Sequence, residues 1–171
     1  MKPLVKTYVA LSIALAVAGC ATNAPFRSAD ADYFLSSGGN SIAGIAKMVV
    51  GDTRTYTCAL NGAILMPVTN FTSARMMALF QAQNHGFADA TTLEQLHDDN
   101  LPAKFVRHAS CDQNGRFAFG GIADGQYYVQ ADIFWITGGP RRPNHVHGGS
   151  LMEMVRVSGS EHKELELLKE F

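Results

Sequence analysis

An all-β fold, a two-sheet sandwich carrying one short helical insertion, is what this sequence predicts, and three observations carry the prediction. Short apolar stretches recur between clusters of Gly, Asn and Asp, with 16 glycines in 171 residues, which is the punctuation of strands and turns. Charged residues make up only 17% of the chain, which argues against a helical bundle with its broad solvated faces. From Gln126 to Ile136 the side chains alternate with a period of two, as in a strand with one buried face.

The elements follow in order. Ser41 to Val50 reads as a first strand ending at the Gly51-Asp52 turn, and Thr53 to Cys58, rich in Thr and Tyr, as a second. Asn61-Gly62 is a tight-turn pair, and Ala63 to Val68 a buried strand whose Pro67 marks an edge or an end. The stretch 73–100 breaks the pattern. Ala74, Met76, Met77, Ala78, Leu79 and Phe80 favour helix, and Thr91-x-x-Glu94 is a capping box opening a second short helix through Leu96. Strand signal returns over Lys104 to Cys111 and, after the turn Asp112-Gln113-Asn114-Gly115, over Arg116 to Phe119. In the long strand that follows, Tyr127, Val129, Ala131, Ile133 and Trp135 form the core face, opposite Tyr128, Gln130, Asp132 and Phe134. A loop over 137–149 leads to strands at Leu151 to Val157 and Glu164 to Leu168. The total is about seven or eight strands, the count of a two-sheet sandwich.

Upstream of this domain lie the cationic Lys2 and Lys6, an uncharged apolar stretch from Leu11 to Ala18, and then Val17-Ala18-Gly19-Cys20. These residues resemble the bacterial lipobox. The resemblance implies that residues 1–19 are a removed signal peptide, that Cys20 is acylated, for example with palmitate, and that the folded part is tethered to a membrane outside the cytoplasm. A transmembrane anchor is disfavoured because the run is well short of the roughly 20 residues needed to span a bilayer, and an ordinary secretory signal because a cysteine stands at the boundary. Ala21, where the inner-membrane retention signal of such proteins usually has Asp, favours the outer membrane. Residues 20–40 then read as a lipidated tether and 41–171 as the sandwich domain.

Losing residues 1–19 leaves one domain's worth of chain and, without Lys2 and Lys6, takes the formal charge from −1 to −3. That balance gives no reason to expect a nucleic acid or an anionic membrane surface as partner. With Cys20 committed to lipid, Cys58 and Cys111 remain, and in an oxidising compartment an even pair reads as a disulfide, the alternative being two free buried thiols.

The run Asp112-x-Asn114-Gly115-Arg116-Phe117-x-Phe119-x-Gly121-Ile122-x-x-Gly125-x-Tyr127-x-Val129 resembles the signature of carboxypeptidase regulatory-like domains, a transthyretin-like β-sandwich family. Ile42-Ala43-Gly44 and Val68-Thr69 fit the first half of that domain, and the likeness covers most of residues 41–136, departing at 73–100. It implies a non-catalytic module with no active-site residues to carry over. A second likeness, to the outer-membrane lipoprotein of type VI secretion systems, pairs a lipobox with a similar sandwich, but its early strand pattern is not found.

Few constellations carry chemistry. His145-x-His147 places two imidazoles on one face of a strand, able to meet on one zinc or copper ion if His85, His97 or His108 supplied a third ligand. Its plainer reading is an exposed polar hairpin. No G-x-S-x-G nucleophile elbow occurs, Asp98-Asp99-Asn100 lacks the spacing of a calcium loop, and Met76-Met77 with Met152 and Met154 reads as core packing ahead of copper binding. The sequence therefore predicts a lipid-anchored, non-catalytic envelope protein without a cofactor. It meets a protein partner through 73–100 and 137–149, with metal binding at His145 and His147 as the alternative.

Overall fold

The computed structural model describes residues 25–95, 101–139 and 142–171. Two sheets face one another across an apolar core. In the first, β1 (Ser37–Val50) is central: β2 (Arg54–Thr57) and β6 (Arg116–Ile122) pair antiparallel with its two halves, and β9 (His162–Glu170) pairs with it in parallel from Ser41↔His162 to Val49↔Glu170. The second sheet has the order β4-β8-β7-β3-β5, from β4 (His85–Asp89) through β8 (Arg142–Val157), β7 (Gly125–Gly139) and β3 (Ala63–Pro67) to β5 (Arg107–Ala109). The expected all-β sandwich is present, with nine strands among the described residues.

Ile42, Met48, Leu65, Phe105, Phe117, Ile122, Tyr127, Val129 and Ile133 lie between the sheets with almost no exposure. The hairpin into β6 forms for local reasons. The Asp112 carboxylate accepts the N–H groups of Asn114 and Arg116, both at 2.8 Å, and Gly115 takes φ +79°, a conformation that costs other residues about 1–2 kcal/mol. Disulfide Cys58–Cys111 joins the β2–β3 and β5–β6 connections, both of which cross between the sheets, with Cα atoms 5.6 Å apart.

Three expectations change. Residues 28–40 are part of the domain and not a tether: Ser28–Leu35 is a 3₁₀ turn that buries Ala31 and Phe34, and Tyr33 donates to the Gln126 carbonyl at 2.5 Å while accepting from the Val68 N–H. The stretch Lys104 to Cys111 is mostly not strand, since Ala103–Phe105 is a 3₁₀ turn that drops Phe105 into the core ahead of the three-residue β5. The 73–100 stretch is more than helical. It holds α1 (Asn70–Phe80), the edge strand β4 and α2 (Ala90–Gln95). The first turn of α2 is capped by the Asp89 carboxylate, which accepts from the Thr92 N–H at 2.8 Å, so the helix opens ahead of the expected Thr91 cap. Its end at Leu96, like Asp98-Asp99-Asn100, lies outside the described residues.

Helix α1 explains why β7 is buried on both faces. Met76, Leu79 and Phe80 pack with Met66, Tyr128 and Met152 on the outer side of the second sheet, forming a smaller second core. Met76 and Met152 are core residues there, as expected, while Met77 is exposed.

Candidate functional site

The second sheet does not end where its neighbours do. Pairing of β3 with β7 stops at Ala63↔Ala131 and that of β4 with β8 at Asp89↔Gly149, yet β7 and β8 stay paired to Trp135↔His147, Thr137↔His145 and Gly139↔Arg142. Beyond Ile133 and Gly149 they form a two-stranded arm with both edges unpaired among the described residues. Residues 137–139 and 142–149 of the segment expected as a loop are therefore strand. Gly and Pro are breakers inside a wide sheet, but a ribbon without outer neighbours has edges on which prolines cost no ladder bond. Gly148, at φ +95°, has a backbone where a Cβ would meet the Ile133 carbonyl oxygen at 2.0 Å and the Trp135 ring at 2.9 Å.

A row of aromatic rings crosses the base of this arm. Tyr56, from β2 in the opposite sheet, stacks on Trp135 with centroids 4.1 Å apart and planes 8° from parallel. The imidazole of His147, directly across the ribbon, lies 5.8 Å from the Trp135 centroid and 16° from parallel. His147 Nε2 shares a 2.6 Å hydrogen bond with the Thr137 hydroxyl, which fixes the imidazole in the row. Tyr56 and Trp135 are half-buried and His147 is exposed. Apolar stacking area thus sits beside a hydroxyl and an imidazole. The other face of the ribbon shows Ile136 and Val146 to solvent.

Among the described residues the histidines are not gathered for metal. His145 and His147 do share a face, as expected, but His85 lies on β4 opposite Glu153, six residues along β8 from His147 and so about 20 Å away. His108 lies on β5 at the far edge of the sheet, and His97 is outside the described residues. Among the described residues no three His, Cys, Asp or Glu side chains converge.

One polar chain escaped the sequence reading. Ser41 Oγ hydrogen-bonds His162 Nδ1 at 2.7 Å, and His162 Nε2 meets Glu164 at 2.8 Å. The residue types are those of a hydrolytic triad, but the setting is not. Ser41 lies within the β1–β9 ladder, its own N–H is donated to the Glu161 carbonyl, and His162 and Glu164 are well exposed. A triad works with backbone donors left free for an oxyanion, in a site shielded from water. This chain of bonds instead cross-links β1 to its parallel neighbour.

No family model matches the sequence, and no curated protein does. Among solved structures, the chain is similar to a crystal structure of a Pseudomonas aeruginosa protein described as "a putative carbohydrate binding protein". The two share 25% identity at a TM-score of 0.64, over 84% of this chain and 97% of that one. The likeness extends over nearly the whole neighbour, so both have the same sandwich.

Sequence reasoning found Trp135 and His147 separately but not the row they make. Tyr56 is 79 positions away in sequence from Trp135, and only the packing of one sheet on the other brings the two rings together. The one available signal was that the Gln126–Ile136 alternation continues past the residues needed to fill the core. Cys20 and the rest of the proposed leader lie outside the described residues, and among the described residues no helix is long and apolar enough to cross a membrane.

Proposed function

We propose that this chain is a lipid-anchored, non-catalytic binding module of the bacterial cell envelope, attached through Cys20, and that it recognises carbohydrate with the β7–β8 arm. The observation that carries the reading is the Tyr56–Trp135–His147 row on a projecting ribbon. Sugar rings present C–H faces that pack on aromatic rings and hydroxyls that bond to groups such as Thr137 and His147, so the exposed end of a stacked, partly polar aromatic row suits them. The likeness to a protein described as carbohydrate-binding supports the ligand class. The lipobox-like residues support the attachment, and the carboxypeptidase regulatory-like signature supports a module without chemistry of its own.

The test is binding of the purified domain to a panel of neutral oligosaccharides and envelope polysaccharides, measured by calorimetry. Wild type is compared with Trp135→Ala and His147→Ala. His147→Ala removes only the exposed ring and leaves the Tyr56–Trp135 stack in place, so it retains the fold. Binding by the wild type that falls at least tenfold in both variants supports the reading. Binding untouched by either, or none to any glycan, overturns it.

A further inference from the structure

A groove of about 490 Å³ runs along the open side of the sandwich, between edge strand β4 of one sheet and edge strand β9 of the other. Its apolar floor includes Leu151 and Leu167, which are buried, and Phe87. Two charged side chains stand in it without a hydrogen bond or an ion pair among the described residues. Glu153 is half-buried on the core-facing side of β8, across from His85, and burial pushes its carboxyl above the usual range while nearby His85 and Lys163 pull it back. Lys169 holds its ammonium 5.5 Å over the Phe87 ring and 5.4 Å over that of Phe171, without an ion pair. The other charges nearby are matched: Glu166 pairs with Lys47 at 3.2 Å and Lys163 with Glu161 at 3.5 Å.

A half-buried carboxylate without donors carries a desolvation cost that a ligand can repay with hydrogen bonds. A lone ammonium held over aromatic rings is a fixed point for an anionic group. One ligand meets both demands when it carries hydroxyl donors on one side, a carboxylate on the other and an apolar ring face between them. We propose that this groove is a second site, separate from the arm, that binds an acidic sugar residue. Vicinal hydroxyls donate to Glu153, and the sugar carboxylate is held by Lys169. A neutral hexose fills the same space but leaves Lys169 unanswered. The proposal rests on the carbohydrate reading for its ligand class and on the groove alone for its location.

The experiment titrates methyl glucuronide and methyl glucoside, which differ in one carboxylate, into the isotope-labelled domain and follows backbone amide shifts. Glucuronide is expected to move the amides of 84–87 and 151–154 and to bind at least tenfold more tightly than glucoside. Lys169→Met should abolish that preference, and Glu153→Gln should weaken glucuronide about tenfold, while neither changes neutral-oligosaccharide binding at the arm. Equal affinities, or shifts confined to residues outside the groove, overturn the groove site. If Trp135→Ala still abolishes binding of neutral oligosaccharide in that case, the arm reading stands without it. If the glucuronide shifts appear in the groove while no neutral glycan binds the arm, the groove site stands and the arm reading falls.

Discussion

Replacing Cys58 and Cys111 together with alanine isolates what the disulfide contributes. The bridge joins positions 53 apart in sequence, and in the chain-entropy treatment a loop of that length restricts the unfolded chain by about 14 cal/mol/K, or about 4 kcal/mol at 25 °C. Both positions are buried, at 0% and 9% exposure, so alanine is preferred to serine, whose hydroxyl would be desolvated without a designed partner. The readout is urea unfolding followed by circular dichroism. With a slope in the usual range of roughly 1–3 kcal/mol/M, the midpoint should fall by about 2 M, and the slope should rise because an unlinked unfolded chain exposes more surface. A loss below about 1 kcal/mol at unchanged slope would refute the reasoning, because the bridge would then hardly limit the unfolded state.

Three further outcomes are expected. Gly115→Ala places a Cβ at 2.4 Å from the Ala46 carbonyl oxygen in a φ +79° backbone. It should cost at least about 2 kcal/mol in the same urea assay. Thr69→Ala removes the side chain that accepts the Thr72 N–H at the start of α1 and should cost about 1 kcal/mol, most visible as faster amide exchange in the first turn of the helix. Tyr33 and Tyr127 are both held at about 12 by burial, against 10 for a free phenol. Their contribution is complete below pH 10 and is lost as pH rises from 10 through 12, because the unfolded chain gives up those protons first. Stability followed by urea midpoint should therefore fall steeply across that window, and less steeply in Tyr33→Phe.

Most strands are legible because their cause is local. The Asp112–Gly115 turn, the Phe117 and Phe119 alternation and the long β7 pattern all sit within a few residues of the interactions that fix them. The disulfide is legible too, from a count of cysteines and a compartment. What is not legible depends on distant partners. Strand β4 is five residues, His-Gly-Phe-Ala-Asp, flanked by helices, and becomes a strand only because β8 offers it an edge. The 28–35 turn carries the small and polar residues of a tether, and Phe34, Tyr33 and Ala31 dock only because the sandwich presents a surface to them. The parallel pairing of β1 with β9 joins positions some 121 residues apart and leaves no trace in periodicity.

The proposed binding arm shows how closely such distant contacts and function are tied. A two-stranded ribbon is marginal on its own in water, and one with open edges invites pairing with other chains. This arm is held down at its base by a ring from the opposite sheet, Tyr56, stacked on Trp135. The row that would contact sugar is therefore also what anchors the ribbon to the sandwich. Rings already stacked on one another lose little freedom when a ligand arrives, which lowers the ordering cost of binding. His147, the exposed end of the row, is the position where ligand contact and anchoring separate, because Thr137 and Trp135 position it while its ring stays open to solvent. A change at Tyr56 or Trp135 alters the arm and the site together, whereas a change at His147 reads the site alone.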